Sequence, residues 1–217
     1  MDKSKTYPKL APTSINNSKV GDALIFNLTS ATACNSAQQG LCEVCNQGIE
    51  CYALKAEKLY KGCLPFRTRQ TEYFDSKTPQ EISFDFLSII AKYDLPKVRW
   101  QEAGDFRNQG DVNKLAKISK NIPTKQATFT ANPTLNLKAL KKTCKVRISG
   151  HKIPGELYTR VIKSSYRGTS KVRKHKEWLA TAKLVNRNNF NEYLCPGSCI
   201  KCQACWNTDY NIVFLSH

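Results

Sequence analysis

Apolar and polar residues fall into short blocks whose period changes along the chain. Ala23-Leu24-Ile25-Phe26-Asn27-Leu28 is an apolar run of strand length, and the polar residues 1–22 before it, with Pro8 and Pro12, read as an irregular lead-in. From Tyr52 to Tyr60, apolar side chains at Ala53, Leu54, Ala56, Leu59 and Tyr60 recur at helical spacing with lysines between them. A stronger helix is predicted from Pro79 to Tyr93. Thr78 can cap it, Pro79 suits the first turn, and Ile82, Phe84, Phe86, Leu87, Ile89, Ile90 and Tyr93 make a wide apolar face. Lys97 to Gln101 predicts a strand that ends in Glu102-Ala103-Gly104-Asp105-Phe106. A helix follows over 111–119, a strand over 126–130, a short helix over 135–140 and a strand over 145–149. Beyond residue 150 the periodicity weakens. There are basic loops, a helix-like stretch from Trp178 to Leu184, and a strand-like run at Ile212-Val213-Phe214-Leu215.

Strands that alternate with helices imply parallel strand–helix–strand units joined by right-handed crossovers. A full eight-fold barrel needs about 250 residues, more than the 217 present. The expected class is therefore α/β: a partial (β/α) barrel or an open, mostly parallel sheet. It is expected as a single domain over 1–217, with a Cys-rich N-terminal loop and a Cys-rich C-terminal segment, 195–217, packed on it. With 24% charged and 10% aromatic residues, the composition is not that of a disordered chain.

The apolar runs fall far short of the roughly 18–20 residues of a membrane span. Met1-Asp2-Lys3-Ser4-Lys5-Thr6 leads into no apolar signal core. The expectation is a soluble, cytoplasmic protein with no membrane partner. In that reducing compartment stable disulfides are rare, so ten cysteines need another role.

Eight of the cysteines form two groups. Cys34, Cys42, Cys45 and Cys51 are spaced C-x7-C-x2-C-x5-C, and Cys195, Cys199, Cys202 and Cys205 are spaced C-x3-C-x2-C-x2-C. Cys63 and Cys144 lie outside both. Gaps of two and three residues let several thiolates point at one centre from a single loop, and soft thiolates select zinc, Cu(I) or iron–sulfur clusters. Three short gaps in a row suit a cuboidal 4Fe–4S cluster, as in bacterial ferredoxins, and Pro196 and Gly197 help such a loop fold over it. The alternative is zinc held by paired C-x2-C motifs. Either each group holds its own cluster or the two ends meet and share one. The C-x3-C-x2-C order of radical S-adenosylmethionine enzymes is present at Cys195, Cys199 and Cys202. There, however, it lies near the C-terminus and is followed by a fourth cysteine.

Cys51-Tyr52-Ala53, Arg99 to Phe106, and the ending Cys199-x2-Cys202-x2-Cys205-Trp206 through Val213 to His217 together resemble the phage "gene product 88" family. The resemblance covers about residues 25–217. It implies a shortened radical-enzyme-like α/β barrel in a protein carried by phages and other mobile elements, and it brings no established reaction. The family pattern often has histidine where this chain has Gln101, and the long Cys34–Cys51 spacing departs from it.

Glu102 and Asp105 sit at the carboxyl end of a predicted strand, where α/β barrels do their chemistry. They could act as acid and base or hold a cation. The plainer reading pairs them with Arg99 and Arg107. Gly104 between them suggests a tight turn or the close approach of another group. His151 could face the same rim, and the terminal His217 is a further candidate through the family pattern. No nucleophile elbow, phosphate loop or dinucleotide fingerprint is present.

The net charge of +17, from 34 basic against 17 acidic residues, favours a polyanionic partner, DNA or RNA first. Arg167, Lys171, Arg173 and Lys174, in the basic stretch Tyr166 to Lys176, are the expected contacts, with Trp178 nearby to stack on bases. Three readings follow. One is a nucleic-acid-directed iron–sulfur protein, one is an iron–sulfur enzyme acting on a small-molecule substrate near the cluster, and one is a zinc-stapled binding module.

Overall fold

The computed structural model describes residues 11–15, 20–164, 171–187 and 191–216. Seven strands run β1 (Leu24–Phe26), β2 (Lys97–Trp100), β3 (Lys125–Thr130), β4 (Lys145–Ser149), β5 (Tyr158–Ile162), β6 (Glu192–Leu194) and β7 (Asn211–Leu215). They form one open sheet in the order β1-β2-β3-β4-β5-β7-β6. Every pairing is parallel, as in the registers Leu24 with Val98, Thr128 with Val146 and Arg160 with Val213. The expected α/β class and parallel open sheet are thus present.

The helices are α1 (Asn35–Gln38), α2 (Glu43–Asn46), α3 (Tyr52–Leu59), α4 (Cys63–Ser76), α5 (Pro79–Tyr93), α6 (Gln109–Lys120), α7 (Lys171–Arg187), α8 (Cys199–Cys202) and α9 (Ala204–Asn207). α5 begins where its residues dictate. Thr78 Oγ1 accepts from the Glu81 backbone N–H, and the Glu81 carboxylate accepts from the Thr78 N–H at 2.8 Å. Pro79 at the first turn has no N–H to lose. The expected helix over 135–140 is replaced by a single 3-10 turn, Leu140–Lys142. Asn132 and Asn136 explain the difference, because their side chains accept from the N–H groups of Thr134 and Lys138 and compete with helical bonding.

Strands laid down in sequential order with right-handed crossovers place their connecting helices on one face. On that face Phe26, Val98, Trp100, Val146 and Ile148 pack with residues of α4, α5 and α6. The aromatic rings interlock there; Phe86 stacks on Trp100 at 5.5 Å. Ile25 of β1, Ala127 and Phe129 of β3, and Ile212 and Phe214 of β7 point to the other face. There they meet Ala204, Cys205 and Trp206. The segment with the last four cysteines thus does for this face what helices do for the other.

Candidate metal centres

The chain leaves β1 at Phe26 and crosses the carboxyl edge of the sheet. Its anchor points are specific. Glu43 Oε2 accepts from the Val161 N–H of β5 at 3.1 Å, and His151 Nε2 lies 3.1 Å from the Leu41 carbonyl. Gly150, just past β4, is left-handed (φ +78°), and a Cβ there would stand 2.5 Å from Glu43 Cβ. The first cysteine group is built into this crossing. Cys34, Cys42 and Cys51 immediately precede α1, α2 and α3, and Cys45 lies within α2. The four thiols gather: Cys45 lies against Cys42, and Cys34 is within electrostatic reach of Cys42 and Cys51. Burial, backed by the neighbouring sulfurs, pushes the Cys34 thiol up to about 11 and that of Cys45 to about 12. A cation placed among them would favour the Cys34 and Cys45 thiolates that burial opposes.

A buried ion pair supports the start of this loop. Glu57 accepts from the N–H groups of Ala31 (2.7 Å) and Thr32 (2.8 Å), from the Thr32 hydroxyl (2.7 Å) and from Arg67 Nη1 (2.8 Å). Arg67 also donates to the Ala53 carbonyl at the start of α3, so one pair fixes both flanks of the group.

Because β1 and β2 are adjacent and parallel, the segment after β2 arrives at the same place. Asp105 is 3% exposed. It accepts from the Ser36 hydroxyl and the Ala131 N–H at 2.6 Å each and from the Phe106 N–H at 2.7 Å, and it lies within electrostatic reach of Cys34. Arg107 pairs with Asp75 and Asp111, not with Asp105, and Arg99 lies over the Phe129 ring. Glu102 is half-buried, and its carbonyl accepts from the Tyr52 hydroxyl beside Cys51. Gly104 (φ +69°) allows the approach of Thr29; a Cβ would lie 2.0 Å from Thr29 Oγ1. Asp105 and Cys34 therefore meet across the distance between residues 34 and 105, and the Glu102 backbone reaches Tyr52 beside Cys51. Gln101, where the family pattern often has histidine, is buried in a left-handed conformation (φ 55°) and hydrogen-bonds Thr128 Oγ1 at 2.8 Å.

The second group fills the connection from β6 to β7. Cys195, Cys199, Cys202 and Cys205 all line one small hollow, with Tyr193 and Trp206 among its other walls. Burial raises the thiols of Cys195, to about 12, and of Cys199 and Cys205. The Cys202 sulfur lies 3.7 Å from the Tyr193 hydroxyl. Arg147, fully buried on β4, holds the segment to the sheet. It donates to the carbonyls of Cys205 at 2.7 Å and Thr208 at 2.9 Å, with longer contacts to Ala204 and Tyr210. Arg147 was missed at the sequence level. A cation at an alternate position of a buried parallel strand was the available signal, since such strands are ordinarily apolar on both faces.

All ten cysteines are free thiols. Cys144 is buried in the helix-face core, and Cys63 opens α4 outside both groups. Among the described residues no group of three or more His, Cys, Asp or Glu side chains is arranged to hold a single metal ion. Of the expected nucleic-acid contacts, Arg173 is exposed on α7. Arg167, the side chains of Lys171 and Lys174, and His217 lie outside the described residues. No described helix is long and apolar enough to cross a membrane. No protein-family model, curated protein or solved structure matches the chain.

Proposed function

We propose that this chain is an iron–sulfur protein with two thiolate-held centres, one at the carboxyl edge of the sheet and one on the face opposite α4, α5 and α6. The observation that carries the reading is the convergence of all four C-terminal cysteines on one hollow. A zinc ion bound by thiolates at about 2.3 Å needs its sulfurs within roughly 4 Å of one another. The thiolates of a cuboidal cluster each bind a different corner iron and stand farther apart. The run of three short gaps, Cys195-x3-Cys199-x2-Cys202-x2-Cys205, is what favours the cluster over zinc.

The test is the iron, sulfide and zinc content of protein purified without oxygen, with its visible absorption spectrum. Brown protein with iron and sulfide in equal amount is the expected result; colourless protein with zinc would sink the reading. Cys195→Ser and Cys42→Ser then report on the two centres separately.

Nucleic acid is the partner that a charge of +17 suits, with the protein belonging to a phage or other mobile element as the family resemblance implies. The expected result is binding to DNA or RNA that weakens steeply from low to moderate salt. Flat affinity over that range would remove this part of the proposal.

A second reading rests on the placing of Asp105 within reach of Cys34, with the Glu102 backbone held by Tyr52 beside Cys51. Parallel sheets bind small ligands at the carboxyl ends of their strands. On this reading the first centre is a catalytic site. It predicts a centre held by three cysteines with one iron left open, so that replacing one of Cys34, Cys42, Cys45 or Cys51 leaves the cluster in place.

A further inference from the structure

Three cations stand beneath the C-terminal cysteine segment, on the sheet face opposite α4, α5 and α6. Lys97 is 4% exposed, and its ammonium lies 4.8 Å from the centre of the Trp206 ring, next to Cys205. Arg99 lies 3.7 Å from the centre of the Phe129 ring, and Arg147 is the buried anchor of the cysteine segment. Lys97 and Arg99 are within electrostatic reach of Cys199, and Arg99 and Arg147 of Cys205. None of the three has a salt-bridge partner among the described residues. A buried cation without a counter-charge is unfavourable. Here one sheet face carries two buried cations, Lys97 and Arg147, and the half-buried Arg99, each within reach of Cys199 or Cys205.

We propose that Lys97, Arg99 and Arg147 are positioning residues that supply the counter-charge of the C-terminal centre and raise its affinity for an electron, making it a reversible redox centre and not only a staple. The proposal rests on the iron–sulfur reading above. Four thiolates around a dicationic cluster core make a dianion, and uptake of one electron makes a trianion. No bond forms or breaks. The electron comes from an external one-electron donor, a reduced viologen in the assay, which goes from radical cation to dication. Fixed positive charge next to the centre favours the more negative form.

The experiment is a potentiometric titration of the anaerobic protein, in a Cys42→Ser, Cys45→Ser background so that only the C-terminal centre is observed. Removing the charges of Lys97 and Arg99 together, as Lys97→Met with Arg99→Met, is expected to lower the equilibrium constant for reduction on the order of tenfold. For a one-electron couple that is about 59 mV. Lys97→Arg should keep the original potential, as should Lys92→Met on the outer side of α5. If the double variant loses its iron, the two single variants carry the test, each shifting about half as far. A double or single variant that keeps its iron and sulfide and titrates at the unaltered potential overturns the proposal. Absence of iron and sulfide from the unaltered protein overturns the iron–sulfur reading itself, and is seen before any titration begins.

Discussion

Glu57→Gln tests how the N-terminal cysteine loop is held. The carboxylate accepts four hydrogen bonds, from Ala31, Thr32 (twice) and Arg67, and its side chain is 2% exposed. Glutamine keeps the shape but only one acceptor oxygen. If that oxygen serves Ala31 and Arg67, the amide NH2 faces the Thr32 N–H; in the other orientation it faces the Ala31 N–H and the Arg67 guanidinium. Either way one buried backbone donor is unsatisfied and the Arg67 cation loses its counter-charge. An orphaned buried donor costs about 1–3 kcal/mol, and removing one partner of a buried pair costs about 3–5 kcal/mol. Since glutamine retains part of the network, the expected loss is about 3 kcal/mol. With a urea slope of about 2 kcal/mol/M, the unfolding midpoint should fall by roughly 1.5 M. The effect should also depend on pH. Burial alone would raise the Glu57 carboxyl, but the hydrogen bonds from Thr32, Arg67 and Ala31 outweigh it and hold it below the usual range. A depressed acid stabilises the fold above its unfolded pKa, about 4.3, and loses that contribution as the pH falls through the folded value. The gap between the two proteins should therefore narrow on acidification below about pH 4. A midpoint shift of less than about 0.3 M at neutral pH would refute the account of Glu57 as the support of this loop.

Other outcomes follow from the same geometry. Gly104→Ala should destabilise by about 3 kcal/mol, from a left-handed backbone and overpacking together, because its Cβ would stand 2.0 Å from Thr29 Oγ1; a thermal melt reads this, and an unchanged midpoint refutes it. Glu192→Gln should cost about 2 kcal/mol, since Arg160 donates to both carboxylate oxygens at 2.8 Å and the Tyr158 hydroxyl donates at 2.6 Å; the check is urea unfolding. Cys63→Ser should leave the iron content unchanged, because Cys63 lies outside both thiol groups, whereas Cys199→Ser should lower it; metal analysis of the two variants decides.

Legibility in the sequence followed the range of the interactions involved. The Pro79–Tyr93 helix was readable to the residue because Thr78, Pro79 and Glu81 settle its start by local bonding. The strand at 145–149 was likewise readable from its own residues. α4 escaped because its buried positions include Arg67 and Gln70 and because Pro65 suggests a break, although proline is tolerated in a first turn. β5 and β6 escaped because Thr159, Arg160 and Glu192 look like surface residues until Arg160 and Glu192 are seen to pair. The two cysteine groups were visible as spacing. What spacing could not give was that each gathers at a different part of the sheet, or that Asp105 reaches Cys34. Those facts depend on β1 lying beside β2 and on the second group covering the face opposite the helices.

The placing of β7 between β5 and β6 fixes an order of assembly. β6 comes earlier in the chain, yet its neighbour in the sheet is β7, so β6 joins the sheet only through β7. The connection between them, Cys195 to Tyr210, joins two adjacent parallel strands, a task usually given to a packed helix. Here it is made of two four-residue helices and four thiols. Its closure should therefore be the late and slow event in refolding. Backbone amides of β6 should exchange with solvent deuterium faster than those of β2 and β3, and whatever occupies the four-cysteine hollow should slow that exchange most in β6 and β7.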